Sequence, residues 1–522
     1  MTVQTPAPAS DLSSSSPTAP GSAPVAPGAS RRTVVLGAGA AVVAWSLASG
    51  WLTADGAAAA EARGGDRNRV PRLDGTLELA QKTGFDHDFG GFVTSTPWAV
   101  LRAGSTRDIV AMIDYARRNR LTVAVNGQSG EPGVLESHSN YGQAQTEGGL
   151  QIDARSFAQL ETIEPRRAVV GAGATWAEVV EAALAIGSTV PTLPDYLKLS
   201  VGGTISVGGI GGNVQRVGLS ADIVRSLEIV TGRGEVVTAS RRRHRELFDA
   251  ARAGGGQVGV ITKVELDLVP AESTATIRTY YYTDLRRFLA DQTLVMQAKR
   301  VDHQSGSIVR TADGTGWRFA MELGTYHSTP AAPGIDDLAQ RFGDVAADRD
   351  EFALPYRDWA FRLEPLIPGL LEGGYWQQRK PWLSLLIPSH EVERFVGEIL
   401  PDLTPADLGA GFCLLSPLDP RVITAPKFAV PRGRDGLAFF FDLLAFPEPG
   451  EPGIDAMLER NRRLYDRLVQ LGGKRYIIGA IPRMTVRDWK RHFGPREHAD
   501  FERIKARHDP SRILTPGQGF FG

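Results

Sequence analysis

Between Gly202 and Gly212 the chain places six glycines in eleven residues, interleaved with Thr204 and Ser206. Each glycine inside a helix or strand sacrifices roughly 0.5–1 kcal/mol relative to alanine, so such a run belongs where backbone must pass close to another surface. It reads as a loop. The loop either carries free N–H groups to a flat or phosphorylated ligand or packs against neighbouring helices. Two nucleotide and hydrolase motifs are excluded. No Gly-Lys-Ser/Thr follows the run, so it is not a Walker loop. Thr204 and Gly208 flank Ser206, where a nucleophile elbow needs glycine on both sides.

The rest of the composition narrows the class. A chain of 522 residues suits two or three domains. Lys plus Arg number 58 against 59 Asp plus Glu, and a net charge of −1 argues against a nucleic-acid partner. The single cysteine, Cys413, excludes an internal disulfide framework and any Cys-cluster metal site. The histidines lack metal spacing, since His390-Glu391 is followed by Arg394 where a zincin needs histidine, and no metal is expected. The run Arg241 to Arg245 is read as a solvated helix face.

The first 62 residues read as leader rather than fold. Thr5 to Ser30 is a Ser/Ala/Pro/Gly mixture that cannot build a core. Arg31-Arg32, an apolar stretch to about Trp51 and the small-residue tract Ala57 to Ala60 resemble a twin-arginine export signal, against the alternative of a membrane anchor. Cleavage would leave a secreted, periplasmic or cell-wall-side protein without a stable membrane span. Gly37-Ala38-Gly39 is no dinucleotide fingerprint, because Val42 takes the place of the third glycine.

Past the leader the pattern is α+β. Ser105 to Arg118 is a predicted helix with Ser105 as N-cap, Leu121 to Val125 a strand, and Ala168 to Val170 a strand turning through Gly171-Ala172-Gly173 into a helix carrying Trp176, Val179 and Val180. Ser226 to Val230 and Glu235 to Thr238 form a hairpin pattern, and Val258 to Val269 a longer strand. After Pro270 glycine clusters thin out and aliphatic and aromatic residues alternate in Thr276 to Tyr282 and Trp317 to Leu323. The expected domains are 63–270, 271–482, and a segment 483–522 that returns to the first. No internal repeat or heptad is present.

Several segments, in order, resemble the FAD-linked oxidases of the vanillyl-alcohol-oxidase type, and most closely the cytokinin dehydrogenases. They are Asp88-Phe89-Gly90 with Pro97 to Ser105, and Asp195-Tyr196-Leu197 leading into Gly202-Gly203-Thr204. Leu247-Phe248-Asp249-Ala250 with Gly255 to Thr262 and Lys380-Pro381-Trp382-Leu383 follow. The last are Asp488-Trp489 with Arg491 to Gly494, and Asp509-Pro510 with Ile513 to Gln518. The resemblance covers most of the chain from Asp88 onward. It implies a two-domain PCMH-type FAD-binding fold, with a second α+β substrate domain built on an antiparallel sheet.

The same resemblance implies site residues. FAD would be bound by Val125, Gly127, Gln128, Ser129, Gly130, His138, Ser139 and Gln143, by Ser200, Gly202, Gly203, Thr204, Ser206 and Ile210, and by Ile261 and Gln518. In the family a histidine of a Gly-x-Gly-His-Ser loop carries the flavin covalently. Here Glu131 to Ser137 interrupts that motif, which leaves two alternatives: His138 still reaches the flavin and makes the bond, or the loop is remodelled and FAD is bound without it. Asp195 matches the catalytic aspartate, a carboxylate expected to become a useful base when desolvated beside an apolar ring; the alternative is a turn-forming aspartate after Pro194. The family's second acid, a glutamate before Gly-Ser, is replaced by Ser305. The implied reaction is hydride transfer from a C–H beside an amine nitrogen of a small molecule, with oxygen or quinone as electron acceptor. The rivals are an alcohol, sugar or tailoring oxidase on the same fold, and a flavoprotein without turnover.

Overall fold

The computed structural model describes residues 51–52, 69–79, 85–127, 141–311, 314 and 316–522. The expected leader (apart from 51–52) and the loop residues Gln128, Ser129, Gly130, His138 and Ser139 lie outside them.

A small sheet opens the fold. Strand β1 (Thr76–Leu79) pairs antiparallel with β2 (Ala99–Arg102), with Trp51–Leu52 at the edge. Helix α1 (Thr106–Asn119) then crosses to β3 (Val123–Asn126), and β4 (Leu150–Asp153) lies between β2 and β3, parallel to both. Ser105 is the N-cap residue, but its hydroxyl donates to Asp74. Asp108 instead gathers the N–H groups of Asp74, Gly75 and Gly104, each at 2.8 Å, and so fastens the helix start to the strand before it. The chain end returns here: Val123 donates to Ile513 and accepts from Thr515, both at 2.7 Å.

The second sheet is antiparallel, in the order β8-β7-β9-β6-β5. These are β5 (Leu160–Glu164), β6 (Arg167–Gly171), β7 (Val224–Val230), β8 (Val236–Ser240) and β9 (Val260–Asp267). After β6 the Gly171-Ala172-Gly173 turn feeds α2 (Trp176–Leu184), started by a reciprocal Thr175–Glu178 capping box. Arg241 to His244 form an exposed turn, and the helix α4 begins only at Arg245 (Arg245–Ala251); the basic run therefore precedes a helix instead of lining its face.

The third sheet has eight antiparallel strands, ordered β13-β10-β12-β11-β15-β16-β14-β17. They are β10 (Thr274–Tyr282), β11 (His303–Arg310), β12 (Trp317–His327), β13 (Asp350–Pro355), β14 (Leu383–Pro388), β15 (Phe412–Leu418), β16 (Ala438–Leu444) and β17 (Lys474–Arg475). Helices α5 (Leu285–Ala298), α6 (Val392–Ile399) and α7 (Ile454–Gln470) contribute Phe288, Phe395 and Leu468 to the core on one face. Strand alternation decides what each face receives. In β16, Phe439, Phe441 and Leu443 enter that helix-covered core, whereas Ala438 and Phe440 enter a second core shared with Leu197, Val201 and Ile205. Each of these Phe and Leu side chains, fully buried, contributes about 1.5–3 kcal/mol. The second core fixes the large sheet against the layer that carries the glycine run.

Candidate active site

The glycine run is not a loop throughout. Val201–Val207 forms a helix, α3, capped by Ser200, whose hydroxyl accepts from Gly203 N. The N–H groups of Val201 and Gly202 donate to Ala174 and Ala172, and that of Thr204 to Ser200. The expectation of free N–H groups over Gly202 to Thr204 is therefore corrected. The hydroxyls of Thr204 and Ser206 likewise turn back onto the carbonyls of Ser200 and Gly202. What the glycines supply is proximity: a Cβ at Gly202 would lie 2.7 Å from that of Ala172, and one at Gly127 would overlap the Ser200 hydroxyl. The end of β3, the β6–α2 turn and the start of α3 thus meet at one place.

Other residues expected at the cofactor fall nearby. Val125 is in β3, Ile210 is partly buried beyond α3, and Ile261 is buried in β9 opposite Ile229. Gln151 Nε2 ties the carbonyls of Ala124 and Ala144 together, holding 141–146 against β3. Asp88 accepts from Phe92, Val93 and Gly142 N–H, clamping the end of the segment that follows His138; burial nonetheless pushes its pKa upward. A Cβ at Gly517 would lie 2.6 Å from Gln143 O, so the tail closes over this segment.

Residues here fit a long polar cofactor. Both side-chain polar atoms of Asn126 and Gln145, Nε2 of Gln143 and Oε1 of Gln518 are buried without a partner among the described residues. A buried polar group left unpaired costs about 1–3 kcal/mol, so a cluster of them marks where a ligand's polar atoms belong. Asn126 and Gln145 were not anticipated.

Asp195 stands beside this region. Its loop is pinned to the first turn of α2, where Trp176 N and Ala177 N donate to Leu199 O and Leu197 O. The Asp195 side chain itself stays 40% exposed at a cleft lined by Leu193, Gly212, His303, Tyr326, Tyr356 and Trp359. Arg362, which the sequence did not flag, donates to Asp195 Oδ1 at 2.5 Å. Its guanidinium lies 4.3 Å over the Trp359 ring. Burial alone would lower the Arg362 pKa; the charges of Asp195 and Glu322 outweigh it and hold the cation. Tyr326, Tyr356 and His303 complete an aromatic wall, with Trp359 Nε1 donating to Tyr326 and the His303 ring edge-on to Trp359.

Ser305 is paired across the ladder with Glu322, so a carboxylate does stand one strand from the position where the glutamate was missed. Burial would push Glu322 up, but His303, 3.4 Å away, and Arg362 bring it well below the usual range. On the other side of Asp195, Tyr196 joins Phe89, Trp376 and Trp382 in an apolar cluster. Lys380, buried, donates to Phe89 O and Gln378 O, tying two of the resemblance segments together. Among the described residues no group of metal-ligating side chains occurs, and no helix is long and apolar enough to cross a membrane.

The α+β layers and the buried amides left unpaired among the described residues fit one class, the FAD-dependent oxidoreductases. Comparison with known proteins agrees. Residues 97–240 match the FAD binding domain family, and 318–521 match the family described as cytokinin dehydrogenase 1, FAD and cytokinin binding. An uncharacterized oxidoreductase, ORF5 of the fasciation locus of Rhodococcoides fascians, is 35% identical over 82% of this chain and 95% of its own. Cytokinin dehydrogenase 8 of Oryza sativa subsp. indica is 30% identical over 83% and 90%. Cytokinin dehydrogenase 2 of Arabidopsis thaliana is 28% identical over 83% and 91%. The chain belongs to the PCMH-type family of FAD-dependent oxidoreductases that includes the cytokinin dehydrogenases.

Proposed function

We propose that this protein oxidises a small molecule at a C–H bond next to an amine nitrogen, with a cytokinin-type secondary amine as substrate and Asp195 as the base. The observation that carries the reading is Asp195 itself: backbone pinned, carboxylate open to the cleft, and oriented by Arg362. Bound FAD would supply the hydride acceptor, held by Gly127, Gln143, Ser200 and Gln518. Asp195 would take the amine proton from a substrate lodged between its loop and the Trp359 wall. Reoxidation would use oxygen or a quinone. Anaerobic mixing with isopentenyladenine tests the reading. Bleaching of the flavin in the wild type and its loss in Asp195→Asn, at equal FAD content, is the expected result; bleaching unchanged in the variant would remove Asp195 as base.

An alcohol substrate is the second reading. It is favoured by the hydroxyls of Ser305 and Ser307 on the strand face shared with His303, away from the helix-covered core. Bleaching by an alditol but not by isopentenyladenine would select it. We further propose that His138 holds FAD covalently and that the twin-arginine leader exports the loaded protein. A yellow acid-precipitated pellet that turns colourless in His138→Ala, and loss of export in Arg31→Lys/Arg32→Lys, are the matching tests.

A further inference from the structure

Asp442 and His303 are buried titratable side chains on the face of the large sheet away from the helix-covered core. Asp442 of β16 is closed off: the Ser384 hydroxyl donates to it at 2.6 Å, burial pushes its carboxyl up to about 8, and it does not line the cleft. His303 of β11, 3% exposed, does line it, together with Asp195. Close contacts fix the ring relative to that acid. A Cβ at Gly211 would overlap the carbonyl of Leu193, two residues before Asp195. A Cβ at Gly212 would overlap His303 Nδ1 and Cε1, and the Gly212 carbonyl accepts from Gln304 N at 2.7 Å. The Nδ1–Cε1 edge of the ring therefore lies against a glycine that itself lines the cleft.

The two ring nitrogens differ in what they meet. Nε2 is buried and lies 3.4 Å from Oε1 of the ionised Glu322, at ion-pair distance but outside hydrogen-bond geometry. A carboxylate's field favours the tautomer whose N–H faces it, which puts the proton on Nε2 and the lone pair on Nδ1, at the cleft. Neither nitrogen makes a hydrogen bond among the described residues. The neighbouring polar groups of the cleft are engaged elsewhere. Arg362 donates to Asp195 and to Trp359 O, and the Tyr356 hydroxyl pairs with that of Thr189. Tyr326 accepts from Trp359 Nε1, and Asn213 Nδ2 donates to Pro191 O. An acceptor in this position is costly to leave unmatched when a ligand displaces water from the cleft.

We infer that His303 is a specificity-determining residue of the Asp195 cleft: its Nδ1 accepts a hydrogen bond from an N–H or O–H of the substrate while Nε2–H faces Glu322. The inference rests on Asp195 being the base and adds a requirement on the substrate. Besides the proton that Asp195 takes, it carries a second, neutral hydrogen-bond donor on the Trp359 side of the cleft. A molecule whose remaining polar groups are acceptors alone is refused, because it would seal Nδ1 off unpaired.

The test uses the FAD-loaded enzyme and whichever of isopentenyladenine or an alditol bleaches the flavin. Asparagine places a polar atom where histidine has Nδ1, and glutamine places one where it has Nε2. His303→Asn should therefore keep KM within about threefold, while His303→Gln and His303→Phe should raise it about tenfold, the loss of one net hydrogen bond. In all three kcat should stay within about threefold, the mark of a group that binds without joining the chemistry. Wild-type KM in His303→Phe, or a glutamine that keeps what asparagine loses, overturns the proposal. If Asp195→Asn keeps full activity, or neither probe bleaches the flavin, the reading of Asp195 fails separately. Nitrogen-15 resonance of the histidine-labelled wild type at pH 8 then still decides the ring, whether or not the variants fold. Nδ1 must carry the lone pair and its signal must shift when a probe is added. A protonated Nδ1, or a signal unmoved by either probe, overturns the proposal.

Discussion

Replacing Gly127 by alanine should separate two of the segments that would hold the cofactor. The new Cβ would overlap the Ser200 hydroxyl and lie 2.8 Å from the Ser200 Cβ. Ser200 cannot retreat easily, because its backbone bridges to Thr175 and its carbonyl accepts from Thr204. Two costs add. Displacing the hydroxyl from Gly203 N removes the α3 cap, about 1 kcal/mol. Overpacking a contact with little room to relax costs about 1–3 kcal/mol more. Gly127 does not lie in the left-handed region, so no backbone strain joins them. The variant should therefore lose about 2–4 kcal/mol, and its FAD content should fall with it. In a Ser200→Gly background both colliding atoms are gone, and the same substitution should cost less than about 1 kcal/mol, a coupling well above the error of such cycles. Urea unfolding followed by circular dichroism and by flavin fluorescence measures all four corners. Equal costs in the two backgrounds would refute the argument that Ser200 is the obstacle.

Three further outcomes follow from the geometry. Asp195→Asn should lower kcat by about 10²–10⁴, the usual worth of a general base, at equal FAD content; a smaller loss points to another base. Asp442 keeps its proton in the folded chain up to about pH 8 but loses it near 3.8 when unfolded. Stability should accordingly fall as pH rises from about 4 to about 8 and level off above, by several kcal/mol in all, and Asp442→Asn should flatten that slope in Tm against pH. Gly173→Ala would drive a Cβ into the Ala154 backbone carbonyl, which has no rotamer to yield, so a loss of about 3 kcal/mol or more, seen as insolubility or a lowered Tm, is expected.

Much of the scaffold was legible because its signals are local. The Thr175–Glu178 capping box sits at the start of a periodic apolar stretch, and the hairpin of β7 and β8 is announced by Thr231-Gly232-Arg233-Gly234 between two apolar runs. Asp195 and the cofactor segments were reached through short motifs in family order. The helix inside the glycine run was hidden for a physical reason: intrinsic propensity opposes it, and it forms because Ser200 caps it and Gly202 packs onto Ala172. Asp442 did leave a trace, a lone acid in Ala438-Phe439-Phe440-Phe441-Asp442-Leu443-Leu444 that a buried strand should not carry unpaired.

By itself the sequence determined the kinds of elements, the places where backbone must run close, and the candidate acid at Asp195. Propensity, alternation and glycine content act over a few residues and survive in the string of letters. The partners of the acids are another matter. Arg362 reaches Asp195 across 167 residues, and Ser384 meets Asp442 across 58. The first joins two loops brought together by packing, and the second depends on strand register and on which face of the large sheet lies against the glycine-run layer. A shift of one residue along either strand would turn Ser384 or Asp442 into the helix-covered core, so only the tertiary structure could decide what each acid faces.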